Sequence, residues 1–310
     1  MSARRSMVVG SGGQDGRYLC TLLGNRGDQV AAIERGGLDL GDRGSVERLL
    51  SKAKPDEVYY LAGVFGSSES PAEAAYRDYQ RCHEVHVLGW LNFLDAVAAA
   101  NAGTRLFYAS SSRIFGSPDH SPQSELTPHA PRCIYGITKS AGMHLGRFYR
   151  ERGVRCSSGI LYNHESPRRP ANFVSRKIVR AAVDIKLGAS RKLTLGNLSA
   201  AVDWGAAQDY VEAMVLILER AAPADYVIAT GELHTVGQFV EAAFSALGLP
   251  SASHVDEDRS LITVAPAERP LVGDSSRLRE ATGWRPRMSF EDMVKRMVEA
   301  ELSLRRASVA

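Results

Sequence analysis

The stretch 6-SMVVGSGGQDGRYLCTLLGNRG-27 decides the fold. Residues 6-SMVVG-10 make a short apolar run that ends on a glycine and reads as a buried strand. Gly10, Gly13 and Gly16 follow, and 17-RYLCTLLGNRG-27 has helical spacing. A strand, a glycine-rich turn and a helix in that order form a dinucleotide cradle. The glycines allow a tight turn and let a pyrophosphate approach backbone N–H groups at a helix N-terminus, where the helix dipole favours negative charge. A glycine pattern by itself is weak; the strand before it and the helix after it make this one specific. Gln14 and Asp15 lie in the same turn and join the candidate cofactor set.

Working outward, 29-QVAAIER-35 reads as a second strand ending on Glu34-Arg35. An acidic residue there suits the ribose hydroxyls of NAD, and an arginine suits the extra phosphate of NADP. Both are present, so NADP and NAD both stay open, with Arg35 tilting the balance toward NADP; either charge could also be a solvated surface group. Asp39, in 37-GLDLGD-42, sits after what looks like a third strand and is placed to reach the adenine, with Leu40 beside it. A helix is expected over 44–55 and a strand over 57-EVYYLAG-63, whose end brings Leu61 and Ala62 to the cofactor. A helix over 85–101, a strand 104-TRLFYASSS-112, a long helix over 135–152 and a strand 154-VRCSSGILYN-163 continue the alternation. This spacing predicts an α/β protein with a Rossmann-type, doubly wound parallel sheet. After Asn163 the texture changes to the Pro- and Arg-rich 164-HESPRRP-170 and a basic amphipathic helix over 172–188. The reading is therefore a dinucleotide-binding domain over 1–163 and a smaller, mainly substrate-binding α/β domain over 164–310, with the chain crossing back between them. The polar run 251-SASHVDEDRS-260 reads as a surface loop.

The bulk numbers fit this reading. The chain has 310 residues, 44% hydrophobic and 24% charged, with a net charge of +3. No basic run is long enough for a nucleic-acid face, and no apolar stretch is long enough to span a membrane. Four scattered cysteines without CxxC spacing argue against a disulfide framework or a zinc site and fit a cytoplasmic setting. His83 and His86 have helical spacing but no carboxylate or cysteine at metal-ligand distance in sequence, so no metal is expected and they read as surface or packing residues.

Tyr135 and Lys139 stand four apart at the start of a helix and share a face. A nearby ammonium is expected to lower the tyrosine pKa so that the phenolate acts as a base. Ser111, at the end of the preceding strand, is placed to hydrogen-bond the same substrate oxygen.

These motifs resemble the extended short-chain dehydrogenase/reductases, and among them the GDP-mannose 4,6-dehydratase family. The resemblance is carried by 10-GSGGQDG-16, 106-LFYASSS-112, 135-YGITK-139, 159-GILYNHESPRR-169, 172-NFVSRKI-178, 192-KLTLGNL-198, 203-DWG-205 and 283-GWRP-286. It implies an NAD(P)-dependent enzyme acting on a nucleotide sugar, GDP-linked in this family. Ser111, Tyr135 and Lys139 would take the catalytic roles, and His164 and Arg169 the cofactor side. Asn163 and Arg176 would hold substrate, with Ser112, Asn172, Val174 and Lys177 around them.

Departures from the family pattern matter as much. The family has a glutamate where Arg113 stands, and that carboxylate removes a proton and helps expel the leaving group. An arginine stays protonated and cannot be that base. Val202 and 265-APAE-268 replace two family arginines that contact the diphosphate, although Arg269 lies close to the second. The long segment the family carries after its second strand, used for cofactor and tetramer contacts, is missing at 33-IERGGLDLGD-42. The sequence therefore favours hydride exchange at sugar carbon 4 without dehydration, by a 4-ketoreductase or 4-epimerase, in a homodimer. Its alternatives are a 4,6-dehydratase with another base, such as Asp119 or His120, and a catalytically silent binding subunit. The basic runs 168-RRP-170 and 176-RKIVR-180 would steer an anionic substrate, unless they are merely solvated.

Overall fold

The computed structural model describes residues 3–65, 75–100, 103–262 and 269–307. The opening motif folds as read: β1 (Arg5–Val9) runs through the glycine turn into α1 (Gln14–Asn25). It is followed by β2 (Gln29–Ile33), α2 (Arg43–Ala53), β3 (Glu57–Tyr60), α3 (Ala75–His83), a π-helical turn Glu84–Leu88, α4 (Gly89–Ala100), β4 (Arg105–Ser111), α5 (Ile134–Arg150) and β5 (Cys156–Leu161). These strands and the later β9 form a six-stranded sheet in the order β2-β1-β3-β4-β5-β9, parallel at every pairing.

A parallel sheet must be covered on both faces, and alternating side chains of each strand supply the two cores. Val8, Tyr59 and Phe107 point to the face covered by Leu19 and Leu23 of α1 and by Val211, Met214 and Leu218 of a later helix. Met7, Val9, Val58, Tyr60, Leu106 and Tyr108 point to the other face, against Val46 and Leu50 of α2 and Trp90, Phe93 and Leu94 of α4.

Beyond β5 come β6 (Asn163–Glu165), α6 (Val174–Lys186), β7 (Leu193–Leu195), β8 (Ala201–Ala206), α7 (Ala207–Leu218), β9 (Asp225–Ile228), β10 (Leu233–Thr235), α8 (Val236–Ser245), β11 (Val255–Glu257), α9 (Ser276–Thr282) and α10 (Phe290–Ala307). The strands β10, β8 and β6 form a second sheet. A separate core holds Ile178, Val179 and Val183 of α6, Phe239 and Phe244 of α8, and Met293 and Met297 of α10. Meanwhile α7 and β9 return to the large sheet.

Three expectations are corrected. Residues 34–42 form turns and bends rather than a third strand, so β2 is the edge of the sheet. Three glycines in 36–41 and the absence of a β-branched run leave nothing to hold an extended strand there. The polar run 251–260 is not all loop, because β11 pairs in parallel with β7 through Val255↔Leu193 and Glu257↔Leu195. The helix expected over 85–101 opens with the π-helical turn, which shifts His86 into the interior.

Candidate active site

The cofactor cradle is built from backbone. Gly10 has φ +92, and a Cβ there would lie 2.8 Å from the Ala62 amide nitrogen. A Cβ on Gly16 would collide with the Gly10 carbonyl oxygen and lie 2.5 Å from Ser11 Cα. The first turn of α1 has no side-chain cap at Gly13, so its N–H groups stay available to an anion. The cleft above it, about 610 Å³, is lined by Gly10, Gly13, Arg35, Asp39, Leu40, Leu61 and Ala62, all candidates from sequence. It is also lined by Gly12, Arg17, Glu34, Arg81 and Glu84. Of these the sequence had raised only Glu34 for the cofactor; Arg17 and Arg81 sit on helices, with no local pattern to mark them. The shape and donors fit a dinucleotide.

Gln14 and Asp15 serve the cradle from behind. Gln14 Nε2 donates to the His164 carbonyl at 3.0 Å, and Ser166 Oγ donates to Gln14 Oε1 at 2.8 Å. Asp15 and His164 pair through Nε2 at 3.0 Å. Burial works against both charges, but each partner overcomes it for the other, so Asp15 is held below its ordinary 3.8 and His164 above its ordinary 6.5. Arg169 reaches Glu165 at 3.2 Å and stacks over Phe173 at 3.7 Å.

Tyr135, Lys139 and Ser111 meet where β4 ends and α5 begins. Lys139 Nζ donates to the Ala109 carbonyl at 2.8 Å and lies 5.8 Å from the centre of the Tyr135 ring. The electrostatics differ from the sequence expectation. Burial pushes Tyr135 up to about 12, against the opposing pull of Arg169 and a hydrogen bond with Ser111. Burial likewise pulls Lys139 down to about 7, with Cys82 and Asp15 working the other way. Two groups shut away from water both favour their neutral forms, and among the described residues no carboxylate contacts the lysine to restore its charge.

His86, read from sequence as a surface or packing residue, is buried beside this pair, edge-on to the Tyr135 ring at 5.3 Å. Its Nε2 accepts from the Val64 N–H at 3.0 Å and its Nδ1 meets Thr138 Oγ1 at 2.8 Å. Burial and Lys139 hold it neutral, with its pKa near 2.

A second cleft, about 490 Å³, is lined by Ser112, Arg113, Asn163, Val202, Asp203 and Arg269, together with Asn197 and Ser199. The sequence had raised Ser112 and Asn163 for the substrate and, among the departures from the family pattern, Arg113 and Arg269, which the lining now adds to the substrate candidates. Asn172, Val174, Arg176 and Lys177 do not line it. Arg176 is buried and donates to Glu301 Oε2 at 2.7 Å, tying α6 to α10. Lys177 Nζ donates to the Thr194 carbonyl at 3.1 Å, and Asn172 and Val174 are exposed. Asp119 and His120 are exposed and do not line the cleft either. The segment 265–268 lies outside the described residues.

The only carboxylate lining this cleft among the described residues is Asp203, and it is fully engaged. It accepts from the Thr230 N–H at 3.0 Å, Thr230 Oγ1 at 2.6 Å, and the Gly231 and Gly273 N–H groups at 3.1 Å each. In contrast, the Arg113 side chain is exposed and has no hydrogen-bond or ion-pair partner among the described residues.

A family model described as GDP-mannose 4,6 dehydratase matches residues 36–297. The Arabidopsis thaliana protein "GDP-mannose 4,6 dehydratase 1" is 38% identical over 331 residues, covering 96% of this chain and 90% of its own length. The Homo sapiens GDP-mannose 4,6 dehydratase is 33% identical, with 98% and 92% covered. Among solved structures, RMD from Pseudomonas aeruginosa complexed with NADPH superimposes with a TM-score of 0.83 at 24% identity, covering 97% of this chain and 100% of that one. A Thermus thermophilus UDP-glucose 4-epimerase complex with NAD gives 0.79 at 24% identity, covering 96% and 98%. At that identity the structural likeness speaks for the fold alone.

Proposed function

The chain belongs to the GDP-mannose 4,6-dehydratase family of extended short-chain dehydrogenase/reductases, and from that premise we propose that it exchanges a hydride at carbon 4 of a nucleotide-linked sugar, as a 4-ketoreductase or 4-epimerase, without expelling water. The observation that carries this reading is the lack of a free base in the second cleft among the described residues: the one carboxylate there, Asp203, is saturated with donors, and Arg113 stands unpaired in the lining. Elimination needs a group to take the proton beside the ketone, and a guanidinium does not take one.

The cradle formed by Gly10, Gly13 and Gly16 would hold NADP or NAD, and Arg35 and Arg17, which line the same cleft, would be the cations available to the extra phosphate of NADP. The bound nicotinamide supplies the hydride donor or acceptor. Tyr135, protonated near neutral pH, exchanges its proton with the oxygen on sugar carbon 4. Ser111 hydrogen-bonds that oxygen and keeps it in reach. Lys139, whose Nζ lies 5.8 Å from the centre of the Tyr135 ring, is the basic group beside the tyrosine. Asn163 and Arg269 are placed to hold the sugar nucleotide, GDP-linked as in the relatives.

A homodimer is the proposed assembly, paired through the outer faces of α4 and α5, and light scattering is the check. The charge at Arg113 is tested by Arg113→Glu. That change supplies a free carboxylate beside the engaged Asp203, so the variant is expected to form some dehydrated product from a GDP-hexose. A folded, substrate-binding variant that forms none would remove Arg113 as the reason elimination is withheld.

A further inference from the structure

Among the described residues, the second cleft carries two unpaired cations and no free anion. Neither the Arg113 nor the Arg269 side chain has a hydrogen-bond or ion-pair partner among the described residues, and the cleft's one carboxylate is saturated. The Asn163 carboxamide and the Ser112 hydroxyl also line the cleft and can donate to an anion. A diphosphate carries two charged phosphoryl groups and can itself face two guanidiniums, so what sets Arg113 apart is its position.

The position of Arg113 says which part of the ligand it faces. Its backbone N–H donates to Ser111 Oγ at 3.3 Å, and its carbonyl packs against Gly136, so tightly that a Cβ there would lie 2.5 Å from the Arg113 oxygen. Gly136 is the residue after Tyr135. The root of the Arg113 side chain is therefore fixed against the catalytic pair. A sugar whose carbon 4 reacts at Tyr135 and Ser111 has carbon 5 as a ring neighbour of the reacting atom, whereas its diphosphate leaves from carbon 1 across the ring.

We propose that this site takes an anionic sugar: a nucleotide-linked hexuronate, whose carboxylate on carbon 5 is held by Arg113 while Arg269 faces the diphosphate. This rests on the nucleotide-sugar reading above and deepens it. A planar guanidinium matches a carboxylate with two parallel hydrogen bonds, a pairing stronger than one between neutral groups. The chemistry is also consistent with the missing base. A hexuronate has no carbon 6 hydroxyl to lose, so a cleft built for it has no use for the carboxylate that drives elimination.

The test is calorimetric titration of the NADP-loaded protein with matched pairs, GDP-mannose against GDP-mannuronate and UDP-glucose against UDP-glucuronate, for wild type, Arg113→Gln and Arg269→Gln. In at least one pair the hexuronate is expected to bind wild type about ten- to a hundredfold more tightly than the hexose. Arg113→Gln is expected to erase most of that preference, and Arg269→Gln to weaken both members of the pair by a similar factor. Equal wild-type affinities within each pair overturn the inference while leaving the nucleotide-sugar reading standing. Equal losses for both members in Arg113→Gln also overturn it, because they assign the guanidinium to the diphosphate. Failure of all four nucleotide sugars to bind defeats the underlying reading, and this inference with it.

Discussion

Replacing Gly16 with alanine isolates the contact on which the cofactor cradle depends. A Cβ at Gly16 would collide with the Gly10 carbonyl and sit 2.5 Å from Ser11 Cα. Both obstacles are backbone, so no side chain can rotate away and the turn itself must open. Overpacking of this kind costs about 1–3 kcal/mol, and the gain from alanine over glycine in a helix offsets only about 0.5–1 kcal/mol. A net loss of about 1–2 kcal/mol is expected, together with a cofactor affinity at least about tenfold lower, as the N–H groups of the turn move apart. Gly24 provides the control on the same helix. A Cβ there would meet nothing within 4 Å, so Gly24→Ala is expected to stabilise by about 0.5–1 kcal/mol and leave cofactor binding alone. Urea unfolding midpoints and titration of NADPH fluorescence read both quantities. A Gly16→Ala protein with wild-type stability and affinity would refute the steric argument.

Tyr135→Phe is expected to lower turnover by about 10²–10⁴-fold while cofactor binding, read by NADPH fluorescence, persists; near-normal activity would dismiss the assigned acid. Glu57 is fully buried and pairs with Arg26 at 2.6 Å, Arg105 at 2.7 Å and Arg4 at 3.1 Å, so Glu57→Gln should cost about 3 kcal/mol in chemical denaturation, chiefly by removing the carboxylate from Arg105, since Arg26 keeps Asp28 and Arg4 keeps Glu219. For the Asp15–His164 pair, the raised histidine contributes fully below its ordinary 6.5 and loses its contribution as pH rises through its folded value. The depressed aspartate contributes above its ordinary 3.8 and loses its contribution as pH falls through its folded value. The stability gap between wild type and His164→Gln should therefore be widest between about pH 4 and 6.5 and narrow on both sides; a gap independent of pH would break the pairing argument.

Local patterns made much of the fold legible. The apolar run before Gly10, the three spaced glycines and the helical spacing after them each act within a few residues, so β1, the turn and α1 could be read directly. Tyr135 and Lys139 could be read as a pair because a helix places residues four apart on one face. Longer-range effects could not be read this way. The polar strand β11 exists because β7 lies beside it, not because its residues favour a strand. Arg176 looked available for substrate until Glu301, far along the chain, packed against it. The raised Tyr135 pKa depends on burial that only the assembled site creates. His86 was invisible as a neighbour of Tyr135 because its inward position depends on the π-helical turn.

The most direct test of the central claim is product mass. The purified protein is incubated with NADP or NAD, and separately with NADPH, together with keto and non-keto nucleotide sugars of both neutral and carboxylate-bearing types, and the products are weighed by mass spectrometry. The account expects either isomerisation at unchanged mass or addition of two hydrogens to a 4-keto substrate matched by loss of NADPH absorbance, and no product lighter by one water. Efficient conversion of GDP-mannose to a product that has lost water, with Arg113 intact, would contradict it.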